Sequence, residues 1–126
     1  MGGGATYTGS NVAWIIDSGI DASHEDLNVD VSRGFNAFTK GRDADLSADG
    51  NGHGTHVAGI AAGDGTTFGG VARNADIIAI QVFSQFTYPC AFPPCALSYP
   101  SDQSLGLQRV YALRSSFDIA AVNMSL

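Results

Sequence analysis

Two residues of this chain stand where chemistry is readily built. Asp17 ends the apolar run Val12-Ala13-Trp14-Ile15-Ile16. His53 follows the loop Asp49-Gly50-Asn51-Gly52 and opens the small-residue stretch Gly54-Thr55-His56-Val57-Ala58-Gly59. In open α/β sheets, sites form outside the carboxyl ends of the strands. A carboxylate placed there can be held by surrounding backbone N–H groups and keep its charge. An acid that fixes the tautomer of an imidazole, and an imidazole that takes a proton, are two-thirds of a nucleophilic triad.

Positioning these two groups requires a buried strand and a helix. Residues 12–16 do not alternate between apolar and polar, which predicts a strand buried on both faces, as in a parallel sheet. Leu27–Val31 reads as a shorter strand, and the polar, Asp- and Gly-rich residues 40–52 read as loop. Gly54–Ala62 reads as a helix with Gly63 suited to its C-terminal cap. Glycine costs helix stability, so Gly54 and Gly59 imply that something approaches this helix closely. Ala75–Phe83 is the next strand, centred on Ile77-Ile78-Ala79-Ile80. Residues 84–103, with Pro89, Pro93, Pro94 and Pro100, read as irregular. Ser101 or Asp102 then caps a helix running to about Ser115, with Leu107, Val110 and Leu113 or Arg114 on one face. Ile119–Met124 is a final apolar strand. The order strand, strand, helix, strand, helix, strand predicts an α/β fold, a parallel sheet with helices on both faces.

Three blocks carry a family resemblance. Tyr7-Thr8-Gly9-Ser10-Asn11-Val12 leads into Ile16-Asp17-Ser18-Gly19-Ile20-Asp21. Gly52-His53-Gly54-Thr55-His56-Val57-Ala58-Gly59 follows, and Val122-Asn123-Met124-Ser125-Leu126 closes the chain. In this order they resemble the aspartate block, the histidine block and the substrate-strand block of the subtilisin family of serine endopeptidases, the subtilases. The resemblance implies that Asp17 orients the imidazole and that His53 is the general base. It implies that Ser125 and Leu126 begin a strand whose backbone pairs with an extended polypeptide substrate, a β-augmentation tolerant of many side chains. Residues 1–126 would form the N-terminal part of such a catalytic domain, subtilisin-like and incomplete on its C-terminal side.

The departures matter as much. The family's nucleophile lies in a Gly-Thr-Ser-Met/Ala block that does not occur among these residues, and its oxyanion-hole asparagine would follow Leu126. Ser125 matches a substrate-binding position and is not read as a nucleophile. The expectation is a peptidase fragment inactive alone, with activity on a complementing C-terminal half. The alternative is a non-catalytic peptide-binding or self-associating fragment. Self-association would run through Ile119–Met124, an apolar sheet edge that is a template for pairing with another chain. The family is commonly secreted, which makes an extracellular location the expectation.

The same residues admit rival readings. His53, His56 and Asp17 could bind a metal, but a zincin places its histidines four apart with a glutamate after the first, whereas the spacing here is three and glycine follows. His56 therefore reads as a packed structural histidine and His24 as a surface one. Asp26, in His24-Glu25-Asp26-Leu27, resembles the stretch where some subtilases place a calcium ligand. The loop Gly63–Gly70 is short, however, and no calcium residue is assigned. Asp43-Ala44-Asp45 lacks the glycine and glutamate of an EF-hand. Cys90 and Cys95 enclose Ala-Phe-Pro-Pro and match no zinc pattern. In an exported protein they would close a small disulfide hairpin, worth about 2 kcal/mol in the chain-entropy account. That loop looks inserted, and either borders the cleft or decorates the surface. Asn123-Met124-Ser125 is a glycosylation sequon read as incidental on an apolar strand.

Composition narrows the classes further. With 126 residues the chain reads as one domain, and 44% hydrophobic residues exclude intrinsic disorder. Six Lys and Arg against twelve Asp and Glu, with no cluster of cations, make nucleic acid a poor partner. Residues 17–49 hold eight acids against three bases, read as a solvated face. No apolar run approaches the ~18–20 residues of a membrane span. No apolar leader precedes the first strand, so no signal peptide is read in this chain. Met1–Thr6 formally fits a myristoylation pattern, but a start codon with glycines ahead of a shortened chain explains it more simply.

Overall fold

The run at 12–16 forms the centre of a sheet, and burial on both sides explains why its sequence does not alternate. In the computed structural model, residues 6–41 and 44–126 are described; the Met1–Ala5 part of the acylation pattern and Asp43 lie outside them. Strand β1 (Val12–Asp17) lies between β4 (Asp76–Gln81) and β7 (Ile119–Met124), parallel to both. Two short strands, β2 (Asn28–Val29) and β3 (Phe35–Asn36), pair in parallel with β4, so the sheet runs β2-β4-β1-β7 with β3 also against β4. Only two residues of the expected strand Leu27–Val31 pair, because Asp30 turns the chain. Its Oδ1 accepts from Ser32 N at 3.0 Å and starts a single 3₁₀ turn at Val31–Arg33.

Side-chain alternation divides the core into two layers. Val12, Trp14 and Ile16 join Ile78 and Ile80 on one face, while Ile15 joins Ile77 and Ala79 on the other. Helix α1 (His53–Ala62) places Ala58 and Ala62 against the second layer, and α2 (Pro100–Leu113) places Val110 against the first. The helices therefore cover both faces, as the sequence predicts. Each fully buried isoleucine contributes about 1.5–3 kcal/mol relative to exposure. The sheet beneath the site thus carries the buried isoleucines of both core layers.

The segment 84–103 corrects the sequence reading. It contains an antiparallel hairpin, β5 (Phe83–Phe86) with β6 (Cys95–Ser98). Pro89, Pro93 and Pro94 lie in the connection, where no ladder N–H is required. Cys90 and Cys95 are joined by a disulfide. Pro100 does not interrupt structure but starts α2, since the first helical position has no use for its missing N–H. The helix accordingly begins before Ser101 and Asp102, with Tyr99 as N-cap and no side-chain cap. It ends at Leu113 and a turn follows. Its buried stripe is Asp102, Gly106 and Val110, supported by Leu105 and Leu113, whereas Leu107 is 46% exposed. Gly106 sets that rotation: a Cβ there would meet Ile80 and Val82 methyl carbons at 3.1 Å.

Among the described residues β7 pairs along one edge only, with β1, and most of it is exposed. No described helix is long and apolar enough to cross a membrane.

Candidate active site

Asp17 is the last residue of β1 and is fully buried. Its Oδ1 accepts from the backbone N–H of Ser18 at 2.7 Å, and its carbonyl accepts from Val82 N at 2.9 Å, so backbone and carboxylate are both pinned. The chain then turns away through Gly19 at φ +109°. His53, the first residue of α1, faces this carboxylate: its Nδ1 lies 2.8 Å from Oδ1 and 3.0 Å from Oδ2. With Nδ1–H donating to Asp17, Nε2 carries the lone pair and is the atom available to take a proton. The imidazole side chain is 51% exposed, so one partner is enclosed and the other reaches solvent.

Electrostatics follow from the same geometry. The hydrogen bond and negative charge of Asp17 raise the His53 pKa above its ordinary value. Partial burial opposes this and Asp49 adds to it. His53 is therefore a stronger base than a free imidazole, and is protonated up to a higher pH.

The docking of α1 onto β1 depends on a network whose centre is Asp49. The N-cap of α1 is Gly52, at φ 84°, which has no side chain to offer the helix. Asp49 substitutes from outside the helix. Its Oδ2 accepts from Thr55 N at 2.9 Å and Thr55 Oγ1 at 2.6 Å. Its Oδ1 accepts from Gly52 N at 2.9 Å, Asn51 N at 3.1 Å and Ser18 Oγ at 2.8 Å. Ser18 Oγ in turn accepts from Gly54 N at 3.0 Å, and Thr55 Oγ1 accepts from Asp21 N at 2.9 Å. Burial alone would raise the Asp49 pKa, but the hydrogen bonds from Thr55, Gly52 and Ser18 outweigh it and hold the carboxyl below its ordinary value. Gly54 completes the junction, since a Cβ there would collide with the Gly19 carbonyl oxygen and lie 3.1 Å from Asp17 Cβ.

Two sequence expectations fail here. Nothing lies within 4 Å of a Cβ built at Gly59, so only Gly54 marks a close approach. His56 is exposed rather than packed, because it lies on the outer side of α1 while Gly54 and Ala58 face the sheet. Among the described residues no group of three or more His, Cys, Asp and Glu is arranged to hold a metal ion, so His53, His56 and Asp17 do not assemble as a ligand set.

A cavity of about 410 Å³ brings Asp17, His53, Ser125 and Leu126 together, with Phe83 and Ala96 on its wall. The β5–β6 hairpin therefore borders the cleft. Ser125 Oγ donates to Asn123 Oδ1 at 2.7 Å. A neighbouring cavity of about 190 Å³ shares Ser18, Asn51, Phe83 and Ala96 with the first. A third cavity, about 680 Å³ on the outer face of α1, is lined by His24, Asp26, His56 and Phe68 among others and contains neither Asp17 nor His53. The 410 Å³ cavity alone of the three holds the acid–base pair. The sequence left open whether the Cys90–Cys95 loop borders the cleft, and the Asp49 network was missed in it. Asp49, six residues ahead of Thr55 at the third helical position, was the available signal for the network.

Comparisons with known proteins identify the family. A sequence model described as the subtilase family matches residues 9–88. The chain is 48% identical over 79 residues to Subtilisin E of Bacillus subtilis (strain 168), covering 60% of this chain and 20% of that protein. It is 48% identical over 81 residues to Subtilisin DY of Bacillus licheniformis, covering 62% and 28%. The crystal structure of the psychrophilic subtilisin-like protease Apa1 from the Antarctic psychrotroph Pseudoalteromonas sp. AS-11 superposes with a TM-score of 0.63 at 30% identity. That likeness covers 93% of this chain and 25% of Apa1. The chain thus matches only a fifth to somewhat over a quarter of the lengths of these proteins.

Proposed function

The chain belongs to the subtilase family, and from that premise we propose that it carries the acid and base of a serine endopeptidase. Residues 1–126 act as the N-terminal part of the catalytic domain. The observation that carries this reading is the 2.8 Å contact between His53 Nδ1 and buried Asp17, at a cavity bordered by Ser125 and Leu126. A serine hydroxyl brought to His53 Nε2 loses its proton to the imidazole as Oγ attacks a peptide carbonyl, and Asp17 stabilises the imidazolium that forms. His53 then returns the proton to the leaving amine, and water resolves the acyl-enzyme. The backbone at Ser125 and Leu126 holds the polypeptide in extended form.

These 126 residues contain no Gly-Thr-Ser-Met/Ala block, so by themselves they are inactive, and turnover requires a polypeptide that supplies the serine and the oxyanion asparagine. An extracellular setting rests on the family likeness, and the Cys90–Cys95 disulfide is compatible with it. Calcium remains unassigned to any residue. The open edge of β7, with Val122 and Met124 exposed, favours a second reading as a peptide-binding or self-associating fragment without turnover.

Fluorophosphonate labelling followed by intact mass separates these readings. The chain alone is expected to remain unlabelled. Mixed with a polypeptide carrying the serine block, an adduct forms on that partner and is lost with His53→Ala. A stoichiometric adduct on the chain alone refutes the missing-nucleophile argument. No adduct in any mixture leaves the non-catalytic reading standing.

A further inference from the structure

We infer that Asn51 is a site of spontaneous deamidation, that the hydrogen bonds of Asp49 guard it in the folded chain, and that its conversion disturbs the Asp17–His53 pair. The inference uses no serine and no substrate, so it stands apart from the peptidase reading. Of the six asparagines, Asn51 alone precedes a glycine; Asn11 and Asn28 precede valine, Asn36 and Asn74 alanine, and Asn123 methionine. Without a Cβ, Gly52 leaves its backbone nitrogen unshielded and lets the chain rotate. That nitrogen attacks Asn51 Cγ, ammonia leaves, and a five-membered succinimide joins the two residues. Water then opens the ring at one of its two carbonyls. Opening at the side-chain carbonyl gives aspartate. Opening at the main-chain carbonyl gives isoaspartate, whose main chain runs on through Cγ.

The site is open to water and yet guarded. Asn51 and Gly52 are both exposed, and nothing lies within 4 Å of a Cβ built at Gly52. The attacking atom, however, is engaged: Gly52 N donates to Asp49 Oδ1 at 2.9 Å, and Asn51 N donates to the same oxygen at 3.1 Å. Hydrogen bonds hold the Asp49 carboxyl below its ordinary pKa, so the acceptor is anionic at neutral pH and the N–H beside it resists ionisation. Gly52 is also the N-cap of α1, and its carbonyl accepts from His56 N at 3.1 Å. Turning the nitrogen onto Cγ breaks these bonds together, so conversion waits on a local opening of the helix start. The consequence falls on the next residue, His53. Isoaspartate lengthens the main chain by one carbon just ahead of the cap and shifts Gly52 N away from Asp49. Aspartate places a carboxylate on the wall of the 410 Å³ cavity, which Asn51 and His53 share.

The test ages the chain at neutral pH. Intact mass counts amides converted to carboxyls, peptide mapping places them, and enzymatic methylation of isoaspartate reports the second product. Conversion is expected at Asn51 ahead of the other five asparagines. Asp49-Gly50 and Asp64-Gly65 can isomerise through the same kind of ring, but without a mass change, so they do not enter the count. The wild-type chain unfolded in urea sets the unguarded rate, and the folded chain should convert more slowly. Asp49→Ala, still folded, should convert about five- to thirtyfold faster than folded wild type, the factor by which a lost helix cap raises the open population. Thr55→Val removes one of the five hydrogen bonds to Asp49 and should fall between the two, which keeps the test valid if Asp49→Ala does not fold. In converted chains the imidazole NMR signals of His53 should leave their wild-type positions, and Asn51→Asp should reproduce the share due to aspartate. Conversion spread evenly over the asparagines, equal rates in the folded and unfolded chain, or no acceleration in either variant overturns the inference. So do His53 signals that stay in place once Asn51 has converted.

Discussion

The carboxyl end of β1 and the outer edge of β7 are neighbours in one sheet, yet they are built by opposite rules. At β1 the acid is buried, its oxygens are engaged, and the facing helix is tied by Asp49, Ser18 and Thr55. At β7 most residues are exposed, one edge is unpaired among the described residues, and the hairpin beside it presents Tyr88 and Phe92 to solvent. An acid–base pair works best when its geometry is set before the reactants arrive, whereas a surface for extended polypeptide must leave its backbone groups free. The contrast thus separates what is preorganised from what waits for a partner.

The largest expected effect comes from removing the charge that defines the ordered side. Asp17→Asn leaves the shape but reverses the hydrogen-bonding demand on Nδ1. In a catalytically complete assembly it should lower kcat by about four orders of magnitude, the size seen for the corresponding acid of an unrelated triad. The same variant should lower the His53 pKa, followed by NMR of the imidazole in the isolated chain. Because folding raises that pKa, the stabilisation from the imidazolium–Asp17 pair is present below the ordinary histidine value near ~6.5 and is lost as pH rises through the folded value. Urea unfolding of wild type against His53→Gln should show a difference that shrinks across that window. A difference that grows with pH would contradict the pairing.

Next in size is the steric junction. Gly54→Ala sets a methyl against the Gly19 carbonyl, a backbone atom that cannot turn aside. A cost of about 1–3 kcal/mol, from overpacking, is expected in urea unfolding. Gly59→Ala, with nothing within 4 Å, should be neutral or stabilising by up to about 1 kcal/mol. Equal effects at the two glycines would mean that α1 does not dock on β1 as described.

Asp49 ranks below both. Asp49→Ala removes the cap of α1 from outside the helix and should cost about 1–2 kcal/mol. Since its pKa is lowered by folding, its contribution is present above the unfolded value of 3.8 and is lost as pH falls through the folded value. Wild type and variant should therefore converge in stability under acid and diverge toward neutrality. A pH-independent difference would point to lost packing instead.

Much of the ordered side was legible because its signals are local. The non-alternating run to Ile16, the acid after it, and Gly63 at a helix end each state their role within a few residues. Of the Asp49 network only the step to Thr55 is local in sequence, and its link to Ser18 was not legible because it joins separate elements. The waiting side was read less well. Four prolines made residues 84–103 look irregular, although three lie in one connection and the fourth begins a helix. The orientation of α2 was hidden because Gly106, without a side chain, marks its buried face more truly than Leu107.

The smallest effect on stability, and the sharpest test of the waiting side, belongs to Val122→Lys. Val122 pairs with Trp14 in register along the closed edge of β7 and is 41% exposed. A charge on an edge strand opposes pairing with a further chain while leaving the existing ladder intact, so stability should change by no more than about 0.5 kcal/mol. Sedimentation velocity should show wild type associating with rising concentration and the variant remaining monomeric. If both are monomers at every concentration, the open edge does not recruit a second copy, and its exposure has to be explained by polypeptide binding alone. If both associate equally, the contact lies elsewhere, and the exposed Ile60 and Val71 bordering the large cavity on α1 become the surface to alter next.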